Sequence, residues 1–127
     1  MFEALEMSLE VLERLATVET RIRGKSRDLA GPLARASESV ALNLGEGRRR
    51  RDGDRRRHYD DRAGEGTGGE AAPVSPTARS HASAGSASEV TVALRIAVAK
   101  RYITTAEHAA VDEPLDRVRA MLYRLTR

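Results

Sequence analysis

The 127-residue sequence predicts an all-α protein, an antiparallel up-down four-helix bundle in a single domain spanning residues 1–127. Three observations lead there. Aliphatic side chains recur three and four residues apart in three separate segments, the spacing of one helix face. The hydrophobic share is 40% with one Phe, three Tyr and no Trp. Leu, Val, Ile and Ala must therefore fill the core, and small aliphatic side chains suit closely packed helices. The one run that alternates like a strand has no second strand to pair with, and a lone strand is not stable.

In the first segment Phe2, Leu5, Leu9, Leu12 and Ala16 form a stripe, which a row of Val11, Leu15, Val18 and Ile22 widens. Strong helix formers fill the gaps, and the first glycine, Gly24, ends the helix. Ser26 or Asp28 caps the second segment, whose stripe is Leu29, Leu33, Ala36, Val40 and Leu44. Gly31-Pro32 interrupts that stripe. Proline has no N–H to give a helix interior, so a kink or a helix start at Pro32 is expected, with Gly45 and Gly47 closing the segment.

Residues 60–83, DDRAGEGTGGEAAPVSPTARSHAS, hold four of the ten glycines, two of the four prolines and hardly an apolar side chain larger than Ala. Ordering them recovers too little buried surface to offset the lost entropy. They read as a long flexible loop that interrupts the third helix, detaching a first piece near 54–61 from 84–103. In EVTVALRIAVAKRYI, Val90, Val92, Leu94, Ile96 and Val98 alternate with Thr91, Ala93, Arg95 and Ala97. Its alanines and the missing strand partner make it a helix nonetheless. Thr104 and Glu107 have the spacing of a capping box. Leu115, Val118, Leu122 and Leu125, with Met121 beside them, give the last stripe. Pro114 either kinks that helix or sits in the first turn of one capped by Asp112.

Composition excludes several classes of function. There is no cysteine, hence no disulfide and no thiolate metal site. No apolar run approaches the roughly 20 residues of a membrane span. The start, MFEALEMSLEVLERL, is acidic and amphipathic, unlike a signal peptide. A soluble, cytoplasmic protein without a membrane partner is expected. The net charge of +3 and pI of 9.8 are mild, but seven of the 22 Lys and Arg residues fall between Arg48 and Arg57.

The stretch from Leu33 to Gly47, LARASESVALNLGEG, resembles the signature of the four-helix bundle family encoded by intervening sequences in bacterial 23S rRNA genes. In that family Leu/Ile, Arg and Ala lead to a Ser-Ile pair and then Asn-Ile-x-Glu-Gly. Leu33, Arg35, Ala36, Ser39, Val40, Asn43, Leu44, Glu46 and Gly47 stand in those places. Gly85-Ser86-Ala87-Ser88-Glu89-Val90 is similar to the family's Gly-Ser-x-x-Glu-Leu, and Tyr102-Ile103 to its Gly-Tyr-Ile/Leu helix end. The resemblance implies a homopentameric, barrel-shaped assembly of four-helix bundles. A related branch, the accessory protein of diversity-generating retroelements, implies nucleic acid and a reverse transcriptase as partners. About 20 extra residues between Tyr59 and Gly85 depart from the family's continuous third helix.

The arginines are the main candidate site. Arg48, Arg49, Arg50 and Arg51 are expected in the loop between helices two and three. Arg55, Arg56 and Arg57 would open the third helix after Asp54 as its cap. Guanidinium groups bind phosphate oxygens in pairs and release counterions, and Tyr59 offers a face for a base to stack on. The predicted function is a non-enzymatic homo-oligomer contacting RNA or DNA through this corner. The alternative is a protein-interaction or assembly scaffold, its arginines solvated or paired with Asp52, Asp54, Asp60 and Asp61.

Arg35, Ser39, Asn43, Glu46 and Gly47 are read as structural. Asn43 and Glu46, three apart on one face, hold backbone groups where the second helix ends. His58 lies near Asp54, Asp60 and Asp61, but with His81 and His108 it forms no Glu-x-x-His pattern, so no metal is expected. Ser37, Ser39 and Ser86 have no His and acid around them, and Gly64–Gly69 lacks the Lys-Ser/Thr of a phosphate loop. No catalytic residue and no cofactor are expected.

Overall fold

The computed structural model describes residues 2–52 and 75–127. They form four helices and, among the described residues, no strand: α1 (Phe2–Lys25), α2 (Arg27–Asp52), α3 (Pro76–Ala99) and α4 (Thr105–Leu125). α2 and α4 each pack on both α1 and α3, closing a four-helix bundle around one aliphatic core. Leu15 and Ile22 of α1, Leu33 and Leu44 of α2, Leu94 of α3 and Leu115 and Leu122 of α4 are almost wholly buried. Each such side chain contributes about 1.5–3 kcal/mol to folding.

Of the two rows on α1, the structure buries the one through Val11, Leu15, Val18 and Ile22, extended by Ala4 and Ser8. Leu9 and Ala16, expected in the stripe, are exposed. α1 ends one residue beyond Gly24, and a single residue, Ser26, separates it from α2. Ser26 serves both helices: its N–H donates to the Ile22 carbonyl, while its Oγ accepts from the Leu29 N–H at 3.2 Å. That cap starts α2 at Arg27, so the expected helix start at Pro32 is replaced by a proline inside the helix.

α2 also runs through Gly45 and Gly47, which were expected to close it, and reaches Asp52. The residues after the glycines explain this. Arginine is a good helix former, and cations are favoured at a helix C-terminus, where carbonyls lack partners.

The expected loop at 60–83 needs a correction. Residues 76–83 are helical, because Ser75 caps the Ala78 N–H at 3.1 Å and Pro76 occupies the first turn. Ser80 and Ser83 are buried there, their small side chains fitting a close approach of α2. Lack of large apolar side chains had argued against helix. In a tight helix–helix contact the same lack is what allows the approach. Residues 60–74 of the expected loop, and the expected first helical piece near 54–61, lie outside the described residues.

The strand-like run is helical, as the missing partner required. Its alternation arises because both sides of α3 are apolar: Val90 and Leu94 face the core, while Val92 and Ile96 are exposed. α3 stops at Ala99 rather than Ile103. The Arg101 N–H donates to the Val98 carbonyl and the Tyr102 N–H to the Ala97 carbonyl, with Arg101 left-handed at φ 63°. This is the Schellman ending, here made without glycine.

α4 begins at the expected capping box: Glu107 N–H donates to Thr104 Oγ1 at 3.0 Å and Thr104 N–H to Glu107 Oε1 at 2.8 Å. Asp112 is therefore no cap, and Pro114 is buried inside the helix rather than in its first turn. A proline at 114 deprives the Ala110 carbonyl of its helical donor. Arg14 of α1 replaces it, its Nη1 donating to that oxygen at 2.9 Å.

Candidate nucleic-acid interface

The arginines divide between what is described and what is not. Arg48–Arg51 continue the backbone of α2 in its last turns, not in a loop as expected. Arg55, Arg56, Arg57 and Tyr59, with His58, lie outside the described residues, as do the side chains of Arg48–Arg51; Gly47 is described only as part of the α2 backbone.

What holds this end of α2 is its seam with α3. Arg79 Nη1 donates to Asn43 Oδ1 at 3.1 Å, Ser83 Oγ to the Val40 carbonyl at 3.0 Å and Ser86 Oγ to Ser39 Oγ at 2.9 Å. Asn43 Nδ2 in turn donates to the Ser39 carbonyl at 2.9 Å and to Ser39 Oγ at 3.1 Å. Five side chains on two helices thus form one polar strip. Asn43 and Ser39, expected to act where the second helix ends, here tie α2 to α3. Glu46 is half-buried one turn beyond Asn43, and Arg35 is exposed on α2, outside the strip.

Arg79 and Ser83 were missed in the sequence, while Ser86 stood in the Gly-Ser motif without a packing role assigned to it. Their spacing of four and three is that of one helix face, so the signal was present. Arg79 and Ser83 lay in the stretch 60–83 that was expected as a loop, Ser86 just beyond it.

Arg79 is the seam's distinctive electrostatic feature. Its Nε is buried without a hydrogen-bond partner, and among the described residues no carboxylate pairs with its guanidinium. It belongs to the first turns of α3, where the unpaired N–H groups already make the helix end positive.

Other arginines are paired with carboxylates, Arg14, Arg21, Arg23, Arg117 and Arg119 among them. Arg119 reaches Asp112 and Asp116 at 3.1 and 3.0 Å and Thr91 at 2.8 Å. Partial burial opposes its charge, but the hydrogen bonds to Asp112 and Asp116 outweigh it and raise its pKa. The backbone hydrogen bond from Thr104 holds the Glu107 carboxyl below the usual carboxylate range. Desolvation opposes this, and Arg21, at 3.1 Å, reinforces it. His81 is exposed on α3 and His108 half-buried on α4. Among the described residues no group of three or more His, Cys, Asp or Glu is placed to hold a metal ion, and no helix is long and apolar enough to cross a membrane.

In comparisons with known proteins, no family model and no curated protein matches the chain. Among solved structures it is similar to a crystal structure from Bacteroides thetaiotaomicron VPI-5482, a protein of unknown function from the S23 ribosomal protein family. The TM-score is 0.73 over 98% of each chain, at 13% sequence identity. At that identity the likeness establishes a shared four-helix fold.

Proposed function

We propose that the chain is a non-enzymatic, homo-oligomeric four-helix bundle that grips RNA or DNA through the arginine-rich end of α2 and the adjoining start of α3. The observation that carries this reading is Arg79. An incompletely satisfied guanidinium, without a carboxylate partner among the described residues, stands beside the helix that bears Arg48–Arg51. A phosphate at the solvent-facing side of the guanidinium would supply opposite charge. The α2–α3 contacts pair rising numbers on α3 with falling numbers on α2, which supports an antiparallel up-down order. In that order the C-terminal end of α2 and the N-terminal end of α3 share one end of the bundle. The fold likeness to the S23-family protein supports membership of the 23S intervening-sequence group, with a pentamer and a cytoplasmic setting as the corresponding expectations. A reverse-transcriptase partner is the expectation carried by the retroelement branch.

The test is a titration of labelled single-stranded RNA and duplex DNA at several salt concentrations. Alongside runs a variant with Arg48–Arg51 and Arg55–Arg57 changed to glutamine. Wild-type binding is expected to weaken with a log–log slope of about −0.7 to −0.9 per phosphate contacted, and the variant to lose it. Arg79→Gln is expected to remove about one phosphate's worth of slope. Absence of binding by the folded wild type at moderate salt would overturn the reading. The scaffold reading, in which the bundle serves only assembly, is favoured by one observation: the large aliphatic side chains left on its surface.

A further inference from the structure

Five large hydrophobic side chains among the described residues are exposed, and one of them is aromatic. Tyr123, in the last turn of α4, is 62% exposed, whereas Tyr102 is half-buried against the core. The Arg127 guanidinium lies over the Tyr123 ring, 5.0 Å from its centre. Arg124, the next residue, is exposed as well. Residues 117–127 hold four arginines and no acid. A guanidinium occupies only one face of a ring, and the exposure of Tyr123 leaves ring surface for a second flat partner.

Cross-helix contacts set the level of this pair along the bundle. Arg117 of α4 reaches the Met7 sulfur of α1 at 3.8 Å. A Cβ placed on Gly45 of α2 would lie 4.0 Å from Leu5 Cδ1 of α1. Arg14–Glu113 and Arg21–Glu107 pair rising numbers on α1 with falling numbers on α4. In the antiparallel order these contacts support, Tyr123 lies beyond Arg117 by about 9 Å, at a rise of about 1.5 Å per residue. That is the level of the first residues of α1. Carried across through Leu5 and Gly45, the same level falls at Arg48–Arg51 of α2.

α2 and α4 both pack on α1 and α3, so they stand diagonally across the bundle. With neighbouring axes about 8–10 Å apart, that diagonal is about 13 Å, a distance a few nucleotides cover. The route by way of α3 passes Arg79, whereas the route by way of α1 meets the exposed Glu3 and Glu6, which repel a phosphate.

We propose that Tyr123 is a stacking platform for an unpaired base, and that the nucleic acid held at this end of the bundle is single-stranded. Arg124 and Arg127 stand on either side of it in sequence to meet the adjoining phosphates. Every base has a π-face, so such a platform accepts any sequence. In a duplex those faces are covered by neighbouring base pairs, and the ring gains nothing. The proposal rests on the nucleic-acid reading above and adds to it the strand type and a contact on α4.

The experiment titrates the full chain, by fluorescence anisotropy, into a labelled oligouridylate and into a labelled duplex with the same number of phosphates. Wild type is expected to bind the single strand more tightly. Tyr123→Ala is expected to weaken single-strand binding about tenfold, leaving duplex binding and the salt slope unchanged. Tyr123→Trp is expected to keep the affinity. The chain has no other Trp, so its emission reports on this position alone. The single strand should quench it saturably and the duplex should not. Position 123 is on the surface, and circular dichroism checks that both variants are folded. Wild-type binding that Tyr123→Ala leaves unchanged overturns the platform while leaving the arginine grip intact. Equal losses on single strand and duplex also overturn it, since an unpaired base is then not what the ring contacts. Absence of wild-type binding to either probe overturns both the platform and the nucleic-acid reading.

Discussion

The seam between α2 and α3 and the seam between α1 and α4 join helices of similar length by different chemistry. The first is laced by uncharged acceptors and small side chains: Ser83 on the Val40 carbonyl, Ser86 on Ser39 and Asn43 under Arg79. The second is tied along its outside by charge, Arg14 with Glu113 at 3.3 Å and Arg21 with Glu107 at 3.1 Å, while Arg117 reaches across to the Met7 sulfur at 3.8 Å. Exposed ion pairs contribute typically 0.2–1 kcal/mol and are screened by salt. Short-range bonds between buried groups tolerate no slip of register, because a displaced helix leaves them unpaired. The seam next to the candidate interface is thus the one built to fix position, and the far seam chiefly adds modest, adjustable stability.

The largest expected effect breaks the first seam. Ser83 is wholly buried and points at the α2 backbone. Ser83→Leu should force the helices apart and cost about 3 kcal/mol, read as a lowered midpoint in urea unfolding. A change below about 0.5 kcal/mol would mean the helices are not in close contact there.

An intermediate effect sharpens the second seam. Arg14 does more than pair with acids, since it donates to the carbonyl that Pro114 leaves without a helical donor. Arg14→Leu should cost about 1 kcal/mol in the native sequence and much less in the Pro114→Ala background, where the helix supplies its own N–H. A double-mutant cycle by chemical denaturation measures the coupling, expected at about 1 kcal/mol. Additive effects would mean that Arg14 is only a surface ion pair.

The smallest effect depends on pH. Glu107 has a depressed pKa in the folded protein, so its stabilisation is present above the unfolded pKa and is lost as pH falls through the folded one. Glu107→Gln should therefore lower the thermal midpoint at pH 7, and the gap to wild type should narrow as pH falls below the ordinary glutamate value of about 4.3 and close below the folded pKa. A gap that stays constant with pH would assign the effect to helix capping alone.

Much of the bundle was legible in the sequence, and its gaps have physical causes. The core stripes of α2 and α4, Ser26 as a possible cap and the Thr104–Glu107 box follow from local spacing. The choice between two adjacent rows on α1 does not, because both are aliphatic and only the packing of α2 and α4 buries one of them. Pro32 and Pro114 suggested boundaries, but caps at Ser26 and Thr104 start the helices upstream, and for Pro114 a guanidinium from another helix takes up the freed carbonyl. The start of α3 was hidden for a related reason. Ser80, Ser83 and Ala84 are poor in apolar area, and their value lies in letting another helix approach, which only its neighbour reveals. At the candidate site, Ser39 and Asn43 stood out in the sequence, whereas Arg79 acquires its meaning from α2.

The most direct test of the α2–α3 seam uses the absence of cysteine. Ser39→Cys combined with Ser86→Cys places two thiols where the hydroxyl oxygens lie 2.9 Å apart. Mild oxidation should give one intramolecular disulfide in nearly all of the folded protein, detected by mass and faster migration without reductant. The control, Ser39→Cys with the exposed His81→Cys, should give none. Rapid intramolecular closure in the control, or only intermolecular bonds in the first pair, would contradict the register. With it would go the placement of Arg79 beside the arginine-bearing end of α2.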